Sequence, residues 1–257
     1  MTKRNTQQRR RTIVERLNLT GEVSVEQLAA EFSTSEVTIR KDLAALEKDG
    51  LLLRRYGGAI PLPQEIAVAP ASGPSANQLA IAAKAAELIR DHNRIIIDCG
   101  TTTLGLIPEL NHKRGLVVMT NSLQLANAIH ELEHEPTLLM TGGTWDPHSE
   151  SFQGQMAEQV LRSYNFDQLF IGADGIDLER GTTTFNELTG LSKVMAEVSQ
   201  QVIVMLEADK IQRRIPNLEL PWGSIDILVT DNRLAADAAN TIRARGIQLL
   251  LVDTVNN

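Results

Sequence analysis

Seven short apolar runs punctuate the chain between residues 94 and 252, and they constrain its fold more than any other feature. They are 94–98, Leu116–Met119, Thr137–Met140, Gln168–Ile171, Val202–Leu206, Ile225–Val229 and Ile247–Val252. Bounded by polar residues, each reads as a strand buried on both faces. Stretches of helical periodicity separate most of them, at 102–111, 122–132, 155–164, 189–200 and 234–245, and another precedes them at 78–90. Strands alternating with helices predict an α/β domain with a mainly parallel open sheet covered on both faces. The carboxyl ends of such strands share one edge, and ligands bind beyond it.

The first sixty residues lack this alternation. Helical patterns at 6–18, from Ser24 to Phe32, and at 35–48 precede a strand at 51–56, a Gly57-Gly58 turn and a return strand from Ala59. Ser24 and Gln27 have capping-box spacing. Ser35 can cap the third helix, with Glu36 near its positive dipole end. Residues 61–78 carry four prolines and no Lys or Arg, and read as a linker. The expected division is therefore a domain at 1–60, a linker at 61–78 and a larger domain at 79–257.

Net charge is −7, unevenly placed. Residues 1–56 hold 11 Lys and Arg against 8 Asp and Glu, a surplus of +3, while the remainder holds 14 against 24, or −10. A basic module on an acidic body points to nucleic acid. The third helix gives that idea a mechanism. Ile39, Leu43 and Leu46 must face the core, which leaves Val37, Lys41, Ala44 and Lys48 opposite, flanked by Thr38 and Arg40. The major groove of B-DNA admits one helix, where Arg or Lys can bond guanine O6 and N7. Ser35, Thr38, Arg40 and Lys41 are the expected groove contacts. Arg54, Arg55 and Tyr56 are expected on the wing, and Arg9, Arg10 and Arg11 as sequence-independent attraction. The partner implied is double-stranded DNA.

In the larger domain, Asp98-Cys99-Gly100-Thr101-Thr102-Thr103 follows a strand and opens a helix. Gly100 permits a turn with exposed N–H groups and the threonines add hydroxyl donors, a combination suited to phosphate. Other polar residues follow strand ends: Asn121, Gly142 and Gly143, Asp174 and Asp177, and Lys210. Asn186 and Glu187 precede a helix. Carboxylates and Asn suit sugar hydroxyls, and an ammonium suits phosphate. These residues are the expected effector contacts. Cys99, the single cysteine, reads as a buried residue; one thiol cannot build an internal disulfide framework, which favours a cytoplasmic setting. No transmembrane run or secretion signal is expected. His130 and His134 stand at i, i+4 without a third ligand, so neither metal nor cofactor is expected. Trp145 and Trp222 read as packing residues.

Residues 23–58 closely resemble the winged helix-turn-helix signature of the DeoR family of bacterial repressors. The segment Ser35-x-x-Thr38-Ile39-Arg40-Lys41-Asp42-Leu43 and the Tyr56-Gly57-Gly58 ending carry that match. The larger domain resembles the family's sensor at DCGTTT (98–103), TN (120–121), GG (142–143), GADGID (172–177) and TTFNE (183–187). The resemblance implies a fold similar to ribose-5-phosphate isomerase and glucosamine-6-phosphate deaminase, a sugar-phosphate effector and a homo-oligomer, dimer or tetramer. Residues 172–187 look most like the repressors of sorbitol, galactitol and N-acetylgalactosamine operons. The family's usual Asp-Ser-Ser/Thr-Lys-Phe reads Glu207-Ala208-Asp209-Lys210-Ile211 here, keeping the lysine, losing a hydroxyl and gaining a carboxylate. The expected function is a repressor of a sugar or sugar-alcohol operon, released from its operator by a phosphorylated sugar. The competing reading is a sugar-phosphate isomerase or deaminase with a DNA-binding appendage. Asp174, Asp177 and Glu187 could act as its base by type. The glycine-rich, lysine-containing loop of the isomerases is replaced by RGTTTFNE (180–187), so no enzyme activity is expected.

Overall fold

The computed structural model describes residues 3–48, 52–55, 57–61, 73–147, 149–186, 189–213 and 215–254. The chain divides into two units, 1–72 and 73–257, each with its own apolar core.

The smaller unit runs α1 (Lys3–Thr20), β1 (Val23–Ser24), α2 (Val25–Glu31), α3 (Glu36–Lys48), β2 (Leu52–Arg55) and β3 (Gly58–Pro61). Ser24 Oγ accepts from Gln27 N at 3.2 Å and caps α2. Ser35 Oγ accepts from Thr38 N at 3.2 Å at the start of α3. The strands form an antiparallel sheet in the order β1-β3-β2, with Leu53 opposite Ile60. Strand β1 has two residues, too few to leave a periodic signal. The core gathers Ile13 and Leu17 of α1, Val25 and Leu28 of α2, and Ile39, Leu43 and Leu46 of α3, with Leu52 and Ala59 from the hairpin.

The larger unit opens with α4 (Ala76–Ala86), whose cap Ser75 exchanges hydrogen bonds with Gln78 in a complete capping box. Helix α4 thus begins inside the stretch read as linker, because a serine three residues before a glutamine outweighs the neighbouring prolines. Then follow β4 (Arg94–Ile97), α5 (Thr101–Leu104), α6 (Ile107–Leu110), β5 (Val117–Thr120), α7 (Leu123–His130), β6 (Thr137–Met140), β7 (Thr144–Asp146), β8 (Ser151–Gln153), α8 (Gln155–Arg162) and β9 (Phe166–Ile171). The chain continues through β10 (Gly175–Asp177), β11 (Gly181–Thr184), α9 (Gly190–Glu197), β12 (Ser199–Met205), β13 (Asn217–Pro221), β14 (Ile227–Asp231), α10 (Ala236–Ala244) and β15 (Gln248–Val252).

Seven strands form one parallel sheet in the order β15-β14-β12-β9-β4-β5-β6. Successive residues of β4 face opposite ways. Ile95 and Ile97 join Ile81 and Ala85 of α4 and Ile129 of α7, while Ile96 joins Leu161 of α8 and Met195 of α9. The single helix expected at 102–111 is two short turns, α5 and α6, because Pro108 lacks the N–H that a continuous helix needs. An antiparallel sheet, β10-β11-β13, and the β7-β8 hairpin complete the unit. Among the described residues no helix is long and apolar enough to cross a membrane.

The chain leaves β4 for β5 and β6 on one side, then returns to β4's other side with β9 and builds outward to β15. The winding direction reverses between β4 and β9. A crevice opens beyond the carboxyl ends of strands at such a reversal.

Candidate functional site

In the smaller unit, the inner face of α3 carries a carboxylate as well as leucines. Asp42 is 2% exposed and accepts from Arg9 Nε at 2.6 Å and Arg10 Nε at 2.9 Å. Arg9 is itself buried, and Arg10 half-buried. These arginines, expected as free surface cations, instead neutralise Asp42 and clamp α1 to α3. A buried charge must be paired, so Arg9 is unavailable to DNA. The side chain of Arg11 and residue Tyr56 lie outside what the structure describes.

The outer face of α3 presents Arg40 and Lys41, both exposed, beside half-buried Thr38. Val37 is 58% exposed on the same first turn. Arg40 Nη2 pairs with Glu36 at 2.7 Å, Arg54 Nε with Glu47 at 2.7 Å, and Arg55 with Glu22. Such exposed pairs are worth well under about 1 kcal/mol, so a phosphate or base edge can displace the glutamate. Ser35 bonds Thr38 through both its hydroxyl and the cap, so its first task is to start α3.

In the larger unit, the loop after β4 stands at the reversal point. Gly100 takes φ +141°, a conformation that L side chains rarely adopt, and turns the chain into α5. That helix is one turn long, so its dipole is small and any anion there depends on local N–H and hydroxyl donors. Thr101 Oγ1 accepts from Gln78 Nε2 at 3.1 Å. Thr103 is fully buried and donates to Gly100 O at 2.9 Å, so it braces the turn. Thr102 has no hydrogen-bond partner for its hydroxyl among the described residues.

Asp98 is buried and accepts from Asn121 Nδ2 at 2.8 Å, while Asn121 Oδ1 accepts from Cys99 N at 3.0 Å. Both ends of the Asn121 amide are therefore spent on positioning the β4 loop. Burial pushes the Asp98 carboxyl up to about 6, tempered by Asn121. Beyond β9, half-buried Asp174 accepts from Thr184 Oγ1 at 2.7 Å and Phe185 N at 3.2 Å. Asp177 departs from its expected role. Arg180 Nε donates to it at 2.7 Å and holds its carboxyl below the usual range, with Glu179 N donating as well. It closes the β10–β11 turn. Asn186 lies beside Asp174's partners, its N–H donating to Thr184 Oγ1 at 3.1 Å, and Glu187 lies outside the described residues.

Lys210 ends the single 3-10 turn after β12 and has no ion-pair partner among the described residues. Buried Asp231 anchors that turn by accepting from Ala208 N at 2.9 Å. The additional carboxylate, Asp209, accepts from Arg213 Nη2 at 2.8 Å, so its charge is answered locally.

The five expected loops do not all follow neighbouring strands. Neighbouring strands lie about 4.8 Å apart, so β12 and β6 are separated by about 19 Å, more than one sugar phosphate spans. Gly142 and Gly143 follow the edge strand β6. A Cβ on Gly143 would stand 2.5 Å from Gln153 O and 3.1 Å from Ala157 Cβ, so this glycine lets the β8–α8 segment pack. That segment returns Ser151 to the Cys99 thiol, whose pKa burial raises well above the ordinary thiol value. Trp145, expected as packing, is 41% exposed and meets Phe152 edge-on; Trp222 is buried.

Sequence reasoning missed Glu219, on β13, which is 8% exposed. Burial, then the nearby Asp98 charge, pushes it up to about 8. Flanked by Leu218 and Leu220, it has the pattern of an ordinary outward strand residue, and nothing in the sequence marks it.

Residues 9–64 match the family model of the DeoR-like helix-turn-helix domain, and residues 75–232 that of the DeoR C terminal sensor domain. An aga operon transcriptional repressor of Escherichia coli O157:H7 is 38% identical, over 96% of this chain and 94% of that protein. The lactose phosphotransferase system repressor of Lactococcus lactis is 28% identical, over 90% of this chain and 93% of that protein. Among solved structures, ribose 5-phosphate isomerase A from Methanocaldococcus jannaschii aligns with a TM-score of 0.38 at 17% identity, over 52% of this chain and 53% of that one.

Proposed function

The chain belongs to the DeoR family of transcriptional regulators, and from that premise we propose that it represses a sugar or sugar-alcohol operon and leaves its operator when a phosphorylated sugar binds. The observation that carries the effector half is the polar loop at the sheet's reversal point, where Asp98, Gly100 and Thr102 stand one strand from Asp174. Lys210, two strands away, supplies the charge for phosphate. Thr38, Arg40 and Lys41 read base edges, while Arg54 and Arg55 hold the backbone. The chain acts in the cytoplasm as a homo-oligomer, because one small reading head buries too little for tight specificity.

The ligand can weaken DNA binding only by its differential affinity for two states of the repressor. A useful switch needs about 2–3 kcal/mol of such coupling, roughly 30- to 150-fold. The test is titration of DNA spanning the operon's own promoter, with and without sorbitol 6-phosphate, galactitol 6-phosphate or N-acetylgalactosamine 6-phosphate. Loss of binding with one of them supports the reading. Tighter binding with ligand overturns release, and rapid turnover of the ligand overturns the regulatory assignment.

A further inference from the structure

Glu219 sits on β13, which pairs with β11 and packs beside α9. Its Oε1 accepts from Ser192 Oγ at 2.8 Å. Its Oε2 is buried and has no hydrogen-bond partner among the described residues. Leaving a buried polar atom unsatisfied costs about 1–3 kcal/mol, so a native fold that keeps one calls for a reason.

Among the described residues, the titratable groups facing Glu219 come from two other elements: Asp98 and the Cys99 thiol beyond β4, and Asp174 beyond β9. Thr182 of β11 and Ser192 of α9 offer only hydroxyls. No Lys or Arg hydrogen-bonds to Asp98, Asp174 or Glu219 among the described residues. The Glu219 carboxyl therefore lies close to Asp98 of the effector loop and to Asp174. With its carboxyl pushed up to about 8, chiefly by burial, Glu219 holds a proton at neutral pH. A protonated carboxyl donates as well as accepts.

We propose that Glu219 is a ligand-contacting residue of the effector pocket, its Oε2 hydroxyl donating a hydrogen bond to a hydroxyl oxygen on the sugar body of the effector. The inference rests on the sugar-phosphate reading above and adds to it a residue and an orientation. A phosphate dianion is disfavoured at this position, since it would meet Asp98 and Asp174 with no cation between them among the described residues. Neutral hydroxyls can occupy it, because each both donates and accepts. The sugar body thus lies on the Glu219 side and the phosphate toward Lys210.

Calorimetry on the full chain tests this with sorbitol 6-phosphate and N-acetylgalactosamine 6-phosphate, from about pH 6 to about pH 9, a range that brackets the Glu219 titration. Wild type should lose about tenfold in affinity across the alkaline half, once the donor proton is gone. Glu219→Gln keeps a donor and an acceptor, so it should bind within about threefold of wild type near neutrality and lose the alkaline decline. Glu219→Ala should lose about tenfold or more throughout. Wild-type affinity in Glu219→Ala, or an unchanged alkaline decline in Glu219→Gln, overturns the proposal. If the alanine variant does not fold, the pH profile of the glutamine variant decides. If wild type binds and Thr102→Ala weakens it while both Glu219 variants do not, only this inference falls. If wild type binds neither probe, the sugar-phosphate reading fails and takes this inference with it.

Discussion

Both units of the chain bury carboxylates, and Asp42 of the smaller unit and Glu219 of the larger are treated oppositely, although the larger unit also pairs buried Asp231 with Arg233 at 2.7 Å. Asp42 lies between Arg9 and Arg10, its charge answered inside the fold. Asp98, Asp174 and Glu219 face one crevice with hydroxyls, an amide and backbone N–H groups but no described cation. A buried charge that is paired belongs to the architecture. Asp98 and Glu219, whose carboxyls burial pushes up, lack such a partner among the described residues, which suits a group that arrives from outside. Residue type and burial alone do not separate structural from functional acids; the neighbouring cation does.

The sharpest way to break this contrast is Asp42→Ala. It leaves Arg9 buried without its anion, which typically costs about 3–5 kcal/mol. The smaller unit should lose protection of its amides to hydrogen exchange across 3–61. Both tryptophans, Trp145 and Trp222, lie in the larger unit, so the fluorescence melt should not move. A mild effect on exchange would mean the triad is ordinary surface chemistry.

The second test concerns the crevice. Asp98 and Glu219 bind protons more tightly folded than unfolded, so their contribution to sensor stability is full below about 4 and falls as pH rises toward about 8. The slope is at most about 1.4 kcal/mol per pH unit for each such proton. In Glu219→Gln the tryptophan-detected decline should end near pH 6, where Asp98 finishes titrating. Parallel curves for the two proteins between about pH 6 and about pH 8 would show that Glu219 is not the group responsible.

The contrast also explains what could be read from sequence. The parallel strands and the core stripe Ile39, Leu43, Leu46 were legible because apolar periodicity is local. The role of Asp42 was not, since its partners lie more than thirty residues away on α1. Arg9 and Arg10 looked like free cations for the same reason. In the larger unit the Asp98–Thr103 loop was legible from strand-glycine-helix order. The division of labour within it was not, because Thr103 and Asn121 brace while Thr102 has no partner among the described residues, and only hydrogen bonds separate them. The place of β6 at the sheet's edge, away from the reversal point, was not legible either, because strand order is not a local property.

The third test leaves stability alone. Arg40 is exposed and, among the described residues, tied only to Glu36, so Arg40→Ala should not shift any melt. It should cost about 1–3 kcal/mol on operator DNA, mostly as lost discrimination against unrelated sequence. Measured in parallel, Arg54→Ala should weaken operator and unrelated DNA alike and lower the salt dependence. If Arg40→Ala behaves like Arg54→Ala, the outer face of α3 holds phosphate and does not read bases.

The smallest effects belong to Thr102 and Lys210, because each offers one group to a ligand that makes several contacts. Removing either should weaken the sugar phosphate by about tenfold, or about 1.4 kcal/mol, without touching operator affinity in its absence. The two should differ in kind. Lys210→Ala removes a charge, so its penalty should shrink as salt rises, whereas the loss of the Thr102 hydroxyl should be nearly independent of salt. Lys210→Ala should also matter less for an unphosphorylated sugar than for its phosphate, while Glu219→Ala should weaken both equally. Equal penalties from Lys210→Ala on sugar and sugar phosphate would place the phosphate elsewhere on the sheet edge.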